Sequence, residues 1–164
     1  MVKGRILGLG MDYSPTSKAA LRWAIDNLIQ SADHLILIHV RSAKSDSDQK
    51  KLWGDSGSPL IPLEELRHTT VSKQYGLNPD AEVLDLLDTV SRTKGVKVTC
   101  KVYWGDPREK LCDAVDDLKL NSLLVGSRGL GTLKRVLLGS VSNYVVMNAT
   151  CPVTVIKGTQ GSKP

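Results

Sequence analysis

Apolar positions fall along the chain in two alternating kinds of block. Ile6-Leu7-Gly8-Leu9-Gly10-Met11 is short and almost wholly apolar and predicts a strand. Ser14-Pro15 then opens a helix, with Ser as N-cap and Pro at the first helical position, and Leu21, Ala24, Ile25 and Leu28 follow at helical spacing. Residues 34–40, His-Leu-Ile-Leu-Ile-His-Val, form the continuous apolar run expected of a strand covered on both faces. The polar stretch 41–57 reads as a surface loop. Pro62 starts a short helix through Glu64-Glu65-Leu66. Pro79 starts a longer one with Val83, Leu86, Leu87 and Val90 as its buried stripe and Gly95 as its end. Residues 96–103 alternate as a strand. Asp106-Pro107 caps the next helix, which buries Leu111, Ala114, Val115 and Leu118. A strand at 122–125, a helix through Tyr144 to Met147 and a strand at 152–156 complete the pattern.

Strands that alternate with helices pair in parallel through right-handed crossovers. The expected fold is therefore α/β: a single open five-stranded parallel sheet with helices on both faces, Rossmann-like. Ligands of such sheets lie beyond the carboxyl ends of the strands, at the topological switch point. A chain of 164 residues is expected to make one domain, here residues 1–158 with a flexible tail at 159–164.

Composition narrows the class. With 41% hydrophobic and 24% charged residues the chain has the balance of a soluble globular protein and argues against disorder. Its apolar runs are far shorter than the ~20 residues of a membrane helix, and its N-terminus makes a poor signal peptide. Cys100, Cys112 and Cys151 form no CxxC pair, which fits reduced thiols. The expected compartment is the cytoplasm, with the nucleus open as well.

Charge points to an anionic partner. The net charge is +5, yet residues 1–82 hold 10 basic and 10 acidic side chains, and the remainder holds 12 and 7. No carboxylate side chain follows Asp117. A segment of one sign suits a nucleotide, a nucleic acid or a membrane surface. Only 4% of residues are aromatic and Phe is absent, which leaves few platforms for stacking single-stranded nucleic acid.

The chemistry concentrates in Gly126-Ser127-Arg128-Gly129-Leu130-Gly131, directly after the fourth expected strand, and in Gly139-Ser140-Val141-Ser142. Glycines at a strand's end let backbone N–H groups approach an anion. A helix starting at Gly139-Ser140 would add free N–H groups and the positive end of its dipole. The Ser140 and Ser142 hydroxyls are further donors, and Arg128, Lys134 and Arg135 supply charge. Together these describe a phosphate cradle. It is not a Walker A loop, which needs GxxxxGK[ST], and Gly8-Leu9-Gly10 lacks the third glycine of GxGxxG.

The spacing is Gly126, two residues, Gly129, nine residues, Gly139-Ser140. It resembles the nucleotide-binding signature of the universal stress protein family. Met11-Asp12-Tyr13-Ser14, Leu37-Ile38-His39-Val40, Gly105-Asp106-Pro107 and residues 151–156 resemble other conserved pieces of that family, above all of its small single-domain plant members. The resemblance implies a fold of the adenine nucleotide alpha hydrolase-like type that binds ATP or AMP, with Mg²⁺ as a companion of the phosphates. It implies that Gly10, Met11 and Asp12 approach the ribose and adenine and that Val40 holds adenine through its backbone. Val125 and Gly126 would lie along the ribose. Arg128, Gly129, Gly139, Ser140, Val141 and Ser142 would surround the phosphates. Asp12 has a second reading, as a local cap of the helix turn at Ser14-Pro15. Gly10 stands where some members carry Pro, which should loosen the first loop.

The residues favour binding over turnover. His34 and His39 bracket an apolar strand as strand-end polar groups, and His68 reads as solvated. No metal-ligand spacing and no Gly-x-Ser-x-Gly elbow appears. The resemblance also implies a homodimer through the last strand, at Val153, Thr154, Val155 and Ile156, whose apolar edge would otherwise be open. The expected protein is a nucleotide-binding, ligand-modulated homodimer of the stress response. A slow ATP hydrolase and a nucleotide-independent chaperone-like module are the alternatives.

Overall fold

The computed structural model describes residues 4–42, 53–75, 77, 80–127 and 139–157. The elements in chain order are β1 (Ile6–Gly10), α1 (Pro15–Asn27), β2 (His34–Arg41), a 3-10 turn (Gly54–Ser56), β3 (Ile61–Pro62), α2 (Leu63–Leu66), α3 (Thr69–Gln74), α4 (Ala81–Lys94), β4 (Lys97–Trp104), α5 (Pro107–Leu118), β5 (Ser122–Ser127), α6 (Ser140–Asn148) and β6 (Val153–Lys157). The sheet order is β3-β4-β2-β1-β5-β6. The five expected strands are present and pair in parallel.

The sheet has six strands, one more than expected. β3 pairs antiparallel to β4 through Ile61 with Cys100 and Pro62 with Thr99. Two residues are too few to show a periodicity, and Pro62 is tolerated because β3 is an edge strand. Ser58 fastens the approach to it: its N–H donates to Val102 O at 2.8 Å, and its hydroxyl accepts from Val102 N at 2.9 Å.

Period-two alternation splits the continuous apolar run of β2 between two cores. Leu35 and Leu37 pack with Leu7 and Leu9, with Ala20, Leu21 and Ala24 of α1 and with Val83, Leu87 and Val90 of α4. Ile36 and Ile38 face the other way, toward Leu123 and Val125 of β5, Leu111, Ala114 and Val115 of α5 and Val145 of α6. The sheet is thus covered on both sides, as a parallel sheet must be.

The helix ends follow the local chemistry. Ser14 Oγ accepts from Ser17 N at 3.2 Å, Asp80 Oδ1 from Glu82 N at 2.7 Å and Asp106 Oδ1 from Arg108 N at 2.8 Å. Gly95 ends α4 in the left-handed conformation at φ 67°. α4 begins at Ala81 with Asp80 as its cap; Pro79, the expected start, lies outside the described residues. Among the described residues no helix is long and apolar enough to cross a membrane.

β6 is the edge opposite β3. Leu123 N donates to Pro152 O at 2.9 Å, so by alternation Thr154 and Ile156 turn their backbone polar groups toward β5. Val153 and Val155 turn theirs outward. The Ile156 side chain is buried in the chain's own core, whereas Val153, Thr154 and Val155 are half-buried.

Candidate functional site

The site arises from a mismatch of strand lengths. β1 pairs with β2 only as far as Gly10 with Ile38, and with β5 only as far as Leu9 with Leu124. β2 runs on to Arg41 and β5 to Ser127. A notch is left over the carboxyl end of β1. It lies at the switch point of the sheet, with β2 and β4 to one side of β1 and β5 and β6 to the other.

A cleft of about 480 Å³ occupies this notch, a size typical of small-molecule sites. Gly10, Met11 and Asp12 form its floor. Ile38 and Val40 of β2 stand on one side, and Val125, Gly126 and Ser127 of β5 on the other. Three helix starts close it: Ser14, Thr16 and Ser17 of α1 and its cap, Pro107 and Leu111 of α5, and Gly139, Ser140, Val141 and Ser142 at α6. The structure therefore brings together Gly10, Met11, Asp12, Val40, Val125, Gly126, Gly139, Ser140, Val141 and Ser142. Arg128 and Gly129 lie outside the described residues.

Part of the cleft lining is aliphatic: Ile38, Leu111 and Val125 belong to one core, with Val40 packed against it, and Met11 to the core on the other face of the sheet. Its backbone is also directed. Met11 N donates to Ile38 O at 2.9 Å, so the carbonyl of Ile38 faces β1. Alternation then turns the N–H and C=O of Val40 to the same side, past the point where β1 has ended. By the same rule Gly126 presents its backbone polar groups from β5.

A helix N-terminus also contributes to the lining. α1, α4 and α5 are capped by Ser14, Asp80 and Asp106, but α6 has Gly139 as N-cap and no side-chain cap. Its first turn carries no acidic residue. Among the described residues no side chain caps its first amides, which with the positive end of the dipole make an arrangement able to receive an anion. Ser142 Oγ donates to Gly139 O at 3.2 Å, and Gly139 N donates to Ser127 Oγ at 3.4 Å, which anchors the cap to the tip of β5.

The two described signature glycines are glycine for different reasons. A Cβ on Gly126 would lie 2.7 Å from Thr16 O and 2.8 Å from Thr16 Cγ2, so α1 crosses β5 too closely for a side chain. Among the described residues, a Cβ on Gly139 would find nothing nearer than Ser142 Oγ at 3.9 Å. Packing explains the first glycine and leaves the second to the cleft.

Asp12 makes the local bonds of its second reading. Its Oδ1 accepts from Ser14 N at 3.0 Å and from Ser17 Oγ at 2.8 Å. Burial pushes the carboxyl up, but the bonds from Ser14 and Ser17 outweigh it and hold the group below the usual carboxylate value. Asp12 thus remains ionised within the cleft lining. His39 is a structural neighbour: its Nδ1 lies 2.8 Å from Met11 O. Burial lowers its pKa, the neutral ring donates to that carbonyl, and the turn after β1 is tied to β2. His34 Nε2 meets Thr99 Oγ1 at 2.9 Å, again a strand-end role. His68 is exposed.

The lining residues absent from the sequence-based set are Ser14, Thr16, Ser17, Ile38, Pro107, Leu111 and Ser127. The signal for Ser14 and Pro107 was present, since a helix that follows a parallel strand starts at the sheet's carboxyl end. Leu111 and Ile38 carry no such signal, because their spacing is that of plain core.

A sequence profile of the universal stress protein family matches residues 4–157. The chain belongs to the universal stress protein family. It is 31% identical to the universal stress proteins PHOS34 and PHOS32 of Arabidopsis thaliana, over 93% of its own length and over 62% and 64% of theirs. It therefore spans somewhat less than two thirds of these relatives. Among solved structures, a universal stress protein family protein of Arabidopsis thaliana with AMP bound is 23% identical, with a TM-score of 0.59 over 98% of this chain and 95% of that one. A universal stress protein in complex with cAMP is 18% identical, with a TM-score of 0.56 over 94% of this chain and 98% of that one. At these identities the two structures establish the shared fold.

Proposed function

We propose that this universal stress protein binds an adenine nucleotide, ATP or AMP, in the cleft over β1. The observation that carries the reading is the pairing of an aliphatic slot, walled by Ile38, Val40 and Val125, with the uncapped N-terminus of α6 in one cleft. An adenine needs apolar faces and a few directed backbone groups, and a phosphate needs free amides at a helix start. In this reading Val40 meets the base through its backbone, and Val125 and Gly126 flank the ribose. Asp12, with Gly10 and Met11, accepts from the ribose hydroxyls. Gly139, Ser140, Val141 and Ser142 hold phosphate, with Arg128 and Gly129 contributing from the loop before α6. Asp12 is the single carboxylate among the described lining residues. A Mg²⁺ ion would thus be carried mainly on the phosphates.

The same reading has the chain act in the cytoplasm in a stress response, as a homodimer joined through the outward edge of β6. AMP and cAMP in the two solved relatives support the nucleotide class. The test is direct. Protein purified without added nucleotide is heat-denatured, and the supernatant is examined by mass spectrometry for ATP, ADP and AMP. Isothermal titration with ATP and AMP follows on stripped protein. Absence of both a released nucleotide and a titration heat would sink the reading. Gly139→Val, whose Cβ would meet Ser142 Oγ at an ordinary 3.9 Å, should preserve the fold and weaken uptake at least tenfold, by removing phosphate contacts of about 1.5–3 kcal/mol.

A further inference from the structure

Arg108 is the second residue of α5, beside Pro107 of the cleft lining. Its guanidinium carbon lies 5.7 Å from the ring centroid of Tyr144 on α6, so the side chain reaches from α5 across to α6. Tyr144 and Ser140 are four residues apart on α6 and share a face. One helical turn, about 5.4 Å, separates them along the axis. The guanidinium thus lies against the ring of a residue one helical turn along α6 from Ser140, at the rim of the proposed site. It is held there by Asp106, with Nε 3.2 Å from Oδ1 and one terminal nitrogen 2.8 Å from Oδ2. Both side chains are well exposed, 46% and 33%. Such a pair is worth little in water and exchanges partners readily.

We propose that Arg108 makes the cleft discriminate nucleoside di- and triphosphates from monophosphates. The proposal rests on the nucleotide reading of the cleft. A single phosphate is satisfied by the α6 amides, whereas a longer chain extends past them and carries additional negative charge. Arg108 leaves Asp106 and takes a terminal phosphate with its planar fork, a geometry suited to phosphate oxygens. Asp106 keeps capping α5 through Arg108 N and is the built-in competitor that lowers affinity for the longer chains.

The experiment is titration calorimetry of stripped wild-type protein, Arg108→Ala and Asp106→Asn with AMP, ADP and ATP. Arg108→Ala should weaken ATP about tenfold and AMP by less than about twofold. Asp106→Asn retains an oxygen to cap α5 but loses the charge. It should tighten ATP by about two- to fourfold and leave AMP unchanged. Equal losses for AMP and ATP in Arg108→Ala, or an unchanged ATP affinity, would overturn the proposal while the cleft reading stands. A wild-type protein that takes up none of the three overturns both, and that result is seen before any variant is compared.

Discussion

Gly126→Ala tests how the cleft is built. Gly126 does not have a positive φ, so alanine is conformationally allowed there and the cost is one of contact. The new Cβ would lie 2.7 Å from the carbonyl oxygen of Thr16, 2.8 Å from its Cγ2 and 3.1 Å from its carbonyl carbon. Carbon atoms prefer ~3.5–4.0 Å between them, so α1 must recede from β5 by about half an ångström or more. The obstacle is partly backbone and cannot rotate away. α1 is also held by its Ser14 cap and by Leu21 and Ala24 in the core. Overpacking of this kind costs about 1–3 kcal/mol. At roughly 2–4 °C per kcal/mol for a domain of this size, Tm should fall by roughly 2–12 °C. Thermal unfolding followed by circular dichroism reads the fall, and urea unfolding should show a lower midpoint with an unchanged slope. Thr16→Ser removes the methyl and leaves the carbonyl, so the double variant should recover part of the loss and no more. A Gly126→Ala protein as stable as its parent would refute the claim that close helix approach explains this glycine.

Three further outcomes follow from the same contacts. Burial would raise the Asp33 carboxyl, but bonds from Arg5 Nε at 3.1 Å and from Gln30 N at 2.8 Å hold it below the ordinary value. Its contribution to stability is therefore present above about pH 4 and lost as pH falls below it, so Asp33→Asn should cost about 1–3 kcal/mol at neutral pH and flatten the acid limb of a pH–stability curve. Val155→Pro removes an outward N–H of β6 while sparing its bonds to β5; light scattering should show the proposed dimer give way to monomer, and a persisting dimer would place the contact elsewhere. Cys100 is wholly buried and its thiol is pushed up to about 12, so a thiol reagent should modify the half-buried Cys112 and Cys151 in the native protein and reach Cys100 only on unfolding.

Much of the scaffold was legible because its signals are local. Ser14-Pro15, Asp106-Pro107 and Gly95 mark helix ends by their own side chains or by the lack of one, and all three act as read. β3 was not legible, since a two-residue strand exists only by pairing with Cys100 and Thr99 far along the chain. α3, at Thr69–Gln74, was likewise hidden in a polar stretch without a clear apolar period. The cleft divides in the same way. The Gly139-Ser140 helix start could be read locally, whereas the place of Val40 depends on β1 stopping at Gly10 while β2 continues, a relation between strands. Without the family resemblance Val40 would pass for core. Asp12 shows that the two readings of one residue need not compete, for a carboxylate that fixes the turn after β1 also belongs to the cleft lining.

The uncapped start of α6 has a consequence for assembly. A helix whose first amides wait for an anion gains its last increment of order when the anion arrives. α6 leads within a few residues into β6, and that short connection is itself pinned by Thr150 Oγ1 to Asp116 at 2.8 Å and by Leu123 N to Pro152 O at 2.9 Å. An anion held at Ser140 in the proposed site would thereby bear on β6, the last strand of the sheet. In the proposed reading ligand uptake and self-association would share one coupling free energy, and by reciprocity the dimer would hold ligand more tightly by the factor with which ligand favours the dimer. Amide hydrogen exchange along α6 and β6, slowed together by either event, is the signature of that coupling.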